Sequence, residues 1–198
     1  MRNNICGVDY GSKLAGTTVI ATGCLSAKIV SFQQSKPKQD ADEFLLRTIH
    51  EVRPATVFMD APLSLPGVYT QLSGCDDYFY RAADKTLHAM SPMFLGGLTA
   101  RAMRLKTAME KTGVAVYETY PAAQAQRLEL GKLGYKQSVG DVGRVLAFVK
   151  ILFPEWIFES GFASWHEIDA LLAWVAAFRF ARNESVVHGD APEGVIYV

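Results

Sequence analysis

Apolar residues fall in short blocks through the first third of the chain and at helical spacing after it. Ile5 to Val8 is an apolar run that ends at Asp9. Tyr10-Gly11-Ser12-Lys13-Leu14-Ala15-Gly16 reads as a turn, and Thr17 to Ala21 is rich in β formers. A second turn at Thr22-Gly23 leads to another strand near Ala27 to Gln33, so the opening predicts a three-stranded meander. Ala41 to Val52 places Phe44, Leu45, Thr48 and Ile49 on one helical face. Asp40 is its expected N-cap, with Glu43 three positions on. Thr56 to Met59 is a buried strand stopped by Asp60-Ala61-Pro62, and the prolines and glycines from Pro62 to Gly74 predict a loop. Helices are expected over 76–90 and 99–111, with a break at Ser91 to Gly97, then a strand over Val114 to Tyr117 that ends at Glu118. Pro121 opens a helix. Another spans Val142 to Leu152, and the last begins at Ser164, with Glu167 completing a capping-box pattern, and runs to about Arg182.

This order predicts an α/β fold: a mixed sheet, with an antiparallel meander beside parallel strands and helices on both faces. One domain over 1–198 is expected, with no repeat or linker. An apolar fraction of 49% with 20% charged residues excludes disorder. The zero net charge excludes a general polyanion binder, so contact with nucleic acid requires a local patch. Cys6, Cys24 and Cys75 lack metal-site spacing, and their odd number argues against a complete disulfide framework. The polar Arg2-Asn3-Asn4 start and the absence of any ~18-residue apolar run predict a cytoplasmic protein with no membrane span.

Charge in apolar places carries the candidate chemistry. Asp169 lies in the very apolar last helix, and its neighbours at three and four positions are Trp165, His166, Leu172 and Ala173. A carboxylate on a packing face is paired, bound to metal or neutral. Asp9, Asp60 and Glu118 each follow an apolar strand, where the crevice of an open α/β sheet lies. Aspartate also favours turns, so each alone has a plain structural explanation. Glu167 is assigned to the helix cap. His166 is open between a site role and a surface position, and Lys13 between phosphate and solvent. Arg81 and Asp84, three apart, form an intrahelical pair or border a cleft. Phe79, Trp174 and Phe178 are expected in the core. Ser64 and Ser91 lack a Gly-x-Ser-x-Gly setting, which excludes a serine hydrolase of that type.

Gly7-Val8-Asp9-Tyr10-Gly11-Ser12-Lys13-Leu14-Ala15-Gly16 resembles the first-strand motif of ribonuclease H-like proteins of the resolvase branch. His166-Glu167-Ile168-Asp169-Ala170-Leu171 resembles the last-helix motif of RuvC-type resolvases, an acid or histidine followed three positions later by aspartate. With Asp60-Ala61-Pro62-Leu63-Ser64-Leu65-Pro66, Glu118-Thr119-Tyr120-Pro121-Ala122 and the helix at Arg81 to Asp84, the chain from about residue 4 to 183 resembles a bacterial and archaeal family of predicted nucleases (domain of unknown function 429) related to those resolvases. Two positions depart from the resolvase pattern: Asp60 stands where glutamate is frequent, and His166 where many have aspartate.

The resemblance implies a ribonuclease H-like fold and a nuclease that hydrolyses phosphodiester bonds with two Mg²⁺ or Mn²⁺ ions. It implies Asp9, Asp60 and Asp169 as metal ligands and His166 as ligand or proton carrier. Glu118 would be an outer ligand or would orient water, and Lys13 and Arg81 would be weak substrate contacts. The partner implied is nucleic acid. Arg101 to Lys111 carries four basic residues and one acid, and Arg127 to Lys150 five and two, with Tyr135 inside the second stretch, a modest strip for phosphates or an ordinary solvated face. Two other classes remain: a non-catalytic nucleic-acid- or protein-binding scaffold, and an actin-like ATP-dependent phosphotransferase. The phosphotransferase reading is weakened by a chain long enough for only one of the two domains it needs and by the lack of a Walker-type loop.

Overall fold

The computed structural model describes residues 4–159 and 164–198; the opening Arg2 and Asn3 lie outside them. The elements in chain order are β1 (Asn4–Asp9), β2 (Val19–Cys24), β3 (Ile29–Gln34), α1 (Ala41–Val52), β4 (Thr56–Asp60), α2 (Ala82–Leu87), α3 (Pro92–Leu95), α4 (Gly97–Glu110), β5 (Ala115–Thr119), α5 (Pro121–Arg127), α6 (Val142–Leu152), β6 (Ile157–Glu159), α7 (Trp165–Ala181), β7 (Val187–His188) and β8 (Ile196–Tyr197). These strands form one sheet in the order β6-β3-β2-β1-β4-β5-β8-β7. β1, β2 and β3 are the antiparallel meander, while β4 and β5 run parallel to β1. This is the mixed sheet expected from the sequence, an antiparallel meander beside parallel strands.

Strand alternation divides the core between the two faces. Ile5 on β1 and Phe58 on β4 face α7, together with Val19 and Ala21 of β2. Cys6, Val8, Val57, Met59 and Val116 face the opposite way, against Phe44, Leu45 and Ile49 of α1 and Ala102, Leu105 and Met109 of α4. α7 is buried on nearly all sides over Ile168–Ala177, because the sheet covers one side and residues of α5, α6 and the Phe153–Phe158 stretch cover the other. An all-round apolar helix belongs in that central position.

The approach of α7 to β1 depends on glycine. A Cβ on Gly7 would lie 2.0 Å from the Trp174 backbone nitrogen and 2.5 Å from the Ala170 carbonyl oxygen. A Cβ on Gly23 would meet the Trp174 indole at 1.9 Å. The two glycines leave a flat seat for the helix.

Several expectations need correction. The helix predicted over 76–90 is confined to Ala82–Leu87. Asp77 turns the chain ahead of it by accepting from the Phe79 and Tyr80 amides, and His88 ends it in a left-handed conformation at φ 51°. Phe79 is therefore half-exposed and packs on Phe94 instead of entering the core. The break at 91–97 contains the one-turn helix α3, capped by the Ser91 hydroxyl. The short strands β6, β7 and β8 have too few residues to show alternation and were not foreseen. Among the described residues, no helix is long and apolar enough to cross a membrane.

Candidate functional site

Asp9 and Asp60 end neighbouring parallel strands and stand opposite each other in register. Parity puts them on one face: Asp9 follows Ile5 and Gly7 by two-residue steps, Asp60 follows Phe58, and all of these point toward α7. Adjacent strands lie ~4.8 Å apart, so the two carboxylates are close neighbours.

The first turns of α7 supply the other half. Ser164 caps the helix by accepting from the Glu167 amide, and the Glu167 carboxylate accepts from the Ser164 amide at 3.2 Å. Glu167 is thus the capping residue expected, and the reciprocal cap fixes where the helix starts. His166 and Asp169, one turn apart, then share the face toward the strand ends. His166 Nδ1 lies 2.7 Å from Asp9 Oδ2. This bond, ahead of the cost of burial, raises the His166 pKa.

Two further residues come from a turn that sequence reasoning did not assign to the site. Between the 3₁₀ turns Leu130–Leu133 and Val139–Asp141, the chain folds back onto α7. Tyr135 Oη donates to Asp169 Oδ1 at 2.5 Å, and Lys136 Nζ lies 2.7 Å from Asp169 Oδ2. Asp169 itself is only 3% exposed. Burial raises its pKa, while Lys136 and Tyr135 pull the other way. The sole signal in the sequence was the basic stretch with Tyr135 inside it.

Asp60 is the odd member of the group. Among the described residues, nothing donates a hydrogen bond to its carboxylate. Burial, then the Asp9 and Asp169 carboxylates, hold its pKa well above the usual carboxylate range.

Glu118 and Arg81 form a second, adjoining system. Glu118 shares strand parity with Val116, which faces α1 and α4, so it points away from the α7 face. Arg81 is 1% exposed and clamps Glu118 through Nη1–Oε2 at 2.7 Å and Nη2–Oε1 at 2.6 Å. Its Nε and Nη2 bind Asp84 at 3.0 and 2.7 Å, and Nη1 also reaches Ser64 Oγ at 2.8 Å. The Leu63 amide donates to Glu118 at 2.7 Å. Burial raises the Glu118 pKa against the opposing pull of Arg81. Glu118 therefore points to the other face of the sheet from the three aspartates, yet its charge adds to those that raise the Asp60 pKa, and with the buried Arg81 it lines a cavity that Asp60 also borders. Lys13 Nζ lies 3.1 Å from Asp40, away from the cluster. Arg101 and Arg104, from the first basic stretch, both bind the buried Asp42 of α1.

No family model matches the sequence, and no curated protein matches it. Among solved structures, the yeast mitochondrial Holliday junction resolvase Ydc2 is similar, with 16% identity over 90% of this chain and 81% of that chain and a TM-score of 0.46.

Chemically, the strand ends hold three carboxylates, one imidazole and one ammonium. Among the described residues, no three His, Cys, Asp or Glu side chains are grouped so as to hold a metal ion. In this arrangement Tyr135 and Lys136 hold both Asp169 oxygens, and His166 holds Asp9 Oδ2. Beside this cluster a cavity of about 200 Å³ is lined by Asp60 together with Arg81, Asp84 and Glu118, and by Tyr10 and Tyr120.

Proposed function

We propose that the chain is a metal-dependent nuclease, with Asp9, Asp60 and Asp169 holding Mg²⁺ or Mn²⁺. The observation that carries this reading is Asp60: a half-buried carboxylate without a hydrogen-bond donor among the described residues, next to two others. Such a group is stabilised by a hard cation, for which carboxylate oxygens are the fitting donors. Bound there in pairs, such ions would polarise the scissile phosphate and activate the attacking water.

The chain's own residues supply the remaining steps. Asp9 orients His166 through Nδ1, and with Nδ1 protonated the free Nε2 is the basic nitrogen that accepts a proton from water. Tyr135 fixes the orientation of Asp169. Glu118 and Arg81 act at a distance, by fixing the Leu63–Ser64 segment that follows β4.

A test is cleavage of single-stranded, duplex and branched DNA and RNA with Mn²⁺, comparing wild type with Asp9→Asn and Asp169→Asn. Cutting by wild type that disappears in both variants supports the reading. No cutting, together with no Mn²⁺-dependent rise in melting temperature, sinks it. That second outcome favours the binding-scaffold alternative, for which the present pairing of Asp169 with Lys136 and of Asp9 with His166 is the supporting observation.

A further inference from the structure

Most polar groups around the cavity beside Asp60 are satisfied by the chain, and two are not. Arg81 binds Asp84 and Glu118, and the Thr119 hydroxyl donates to the Tyr197 carbonyl at 2.7 Å. The Tyr10 hydroxyl donates to Asp42 at 2.5 Å, and the Arg101 guanidinium lies 4.8 Å from the centre of that ring, so the ring is a fixed wall. Among the described residues, the Asp60 carboxyl and the Tyr120 hydroxyl have no hydrogen-bond partner. They are neighbours: burial, then the Asp60 carboxylate, raises the Tyr120 pKa. Much of the remaining lining is apolar, with Leu95, Leu98 and Met90 in it.

Size and polarity together describe the guest. The cavity volume, about 200 Å³, exceeds the roughly 150 Å³ that holds a benzene ring and falls below the ~300 Å³ at which sites for drug-sized ligands begin. One planar ring system fills it. Asp60 offers an acceptor and Tyr120 a hydroxyl donor, so the guest needs a donor beside an acceptor on one edge. An aliphatic amine supplies only the first. The Watson–Crick edge of a nucleobase supplies both, and its flat faces suit walls of tyrosine and leucine. In a duplex that edge is engaged by the partner base, so only an unpaired base presents it.

We propose that this cavity is a nucleobase site, which takes one unpaired base from a nucleic-acid strand and hydrogen-bonds its edge to Asp60 and Tyr120. The surface outside favours a strand over a free nucleoside. Met90 and Leu95 flank Phe94 in the chain, and Phe94 is exposed and packs on Phe79 and Tyr80. Exposed rings of this kind stack with successive bases of a strand. Asp60 ends β4 beside Asp9, so a base held there brings its own phosphodiester to the ends of β1 and β4. The inference rests on the proposed nuclease reading and names its substrate class: bulged or single-stranded nucleic acid, in preference to continuous duplex.

The test measures binding of the full chain to oligonucleotides with EDTA present, so that no divalent ion takes part. The probes, in DNA and in RNA, are a paired duplex and the same duplex with a single bulged 2-aminopurine, whose emission rises when it leaves the base stack. Wild type should bind the bulged duplex about tenfold tighter than the paired one, with a rise in emission. Leu98→Trp, which puts an indole into the cavity, should lose the preference and the rise. Tyr120→Phe should cut the preference about fivefold, the worth of one hydrogen bond. Thermal melts check folding, and Tyr120→Phe, which keeps its ring, decides the question if Leu98→Trp does not fold. Equal wild-type affinity for the two duplexes, binding of neither, or a preference unchanged in a folded variant overturns the inference. A free nucleoside that competes as tightly as the bulged duplex binds overturns the strand as the source of the base. Mn²⁺-dependent cutting without any bulge preference removes the base site and leaves the nuclease reading standing. A bulge preference with neither cutting nor Mn²⁺ binding keeps the base site and removes the nuclease.

Discussion

Gly7→Ala tests the packing that brings the two halves of the site together. The added Cβ would stand 2.0 Å from the Trp174 backbone nitrogen and 2.5 Å from both the Ala170 carbonyl oxygen and the Ala173 carbonyl carbon. Ordinary contact begins near 3.4 Å, so relief takes about 1.4 Å of movement between β1 and α7. All three obstacles are backbone atoms, and a rotamer change cannot clear them. Overpacking of a core costs about 1–3 kcal/mol and occasionally more, and a backbone clash belongs at or above the top of that range. For a chain of this size, about 3 kcal/mol lowers the melting temperature by roughly 6–12 °C. The same displacement acts on His166 and Asp169, which ride on α7, relative to Asp9, which ends β1. A misplacement of about 1 Å is enough to reduce catalysis on the order of 100-fold. The assay is a thermal melt together with a structure of the variant. Gly97→Ala, where nothing lies within 4 Å of the new Cβ, serves as control and should melt near wild type. A melting temperature within about 2 °C of wild type, with the Asp9–His166 hydrogen bond intact at 2.7 Å, would refute the argument.

Arg81→Met should destabilise the protein by about 3–5 kcal/mol, since it leaves Asp84 and Glu118 buried without their common partner. Because the pair faces away from the aspartates, Mn²⁺ binding by the folded fraction should be unchanged in calorimetry; selective loss of binding without loss of stability would contradict this. Asp60→Asn should raise the melting temperature of the metal-free protein at neutral pH. The sign follows from the raised pKa: a carboxyl that ionises at higher pH in the folded state weakens stability once the pH exceeds about 3.9, and the penalty grows until the folded pKa is passed. The gain should therefore be small near pH 4 and larger at pH 7, and an equal gain at both would show that Asp60 is not under that strain.

Much of this architecture is legible in the pattern of residues. The meander, the helix capped at Asp40 and the reciprocal cap at Ser164 follow from local rules, because period, turn residues and caps act over a few positions. The part that was hidden depends on contacts across the chain. Tyr135 and Lys136 reach Asp169 over more than thirty positions, through a turn with no periodic signal. The late start of α2, at Ala82, comes from an Asp77 side chain that competes for backbone amides, a choice that helical spacing does not report.

Glu118 lies between these cases. It follows a strand as Asp9 and Asp60 do, and position in sequence alone groups the three. Parity separates them. Counting back by twos from Asp9 and Asp60 reaches Ile5 and Phe58 on the α7 face; counting back from Glu118 reaches Val116, on the face of α1 and α4. Which β5 positions face which way is not evident from Ala115-Val116-Tyr117, since each can be buried on either side. Once the face is assigned, the chemistry divides with it. The face away from α7 has an arginine whose guanidinium is saturated by carboxylates, which makes a stable, closed ion pair. The α7 face has carboxylates in excess over cations, with Asp60 left without a donor among the described residues. An excess of buried negative charge is destabilising unless something else binds there, and the cation that partly fills this role, Lys136, is held by its tip and half open to solvent. Strand parity thus gives the two groups different partners, while the cavity lined by Asp60, Arg81 and Glu118 is the place where they adjoin.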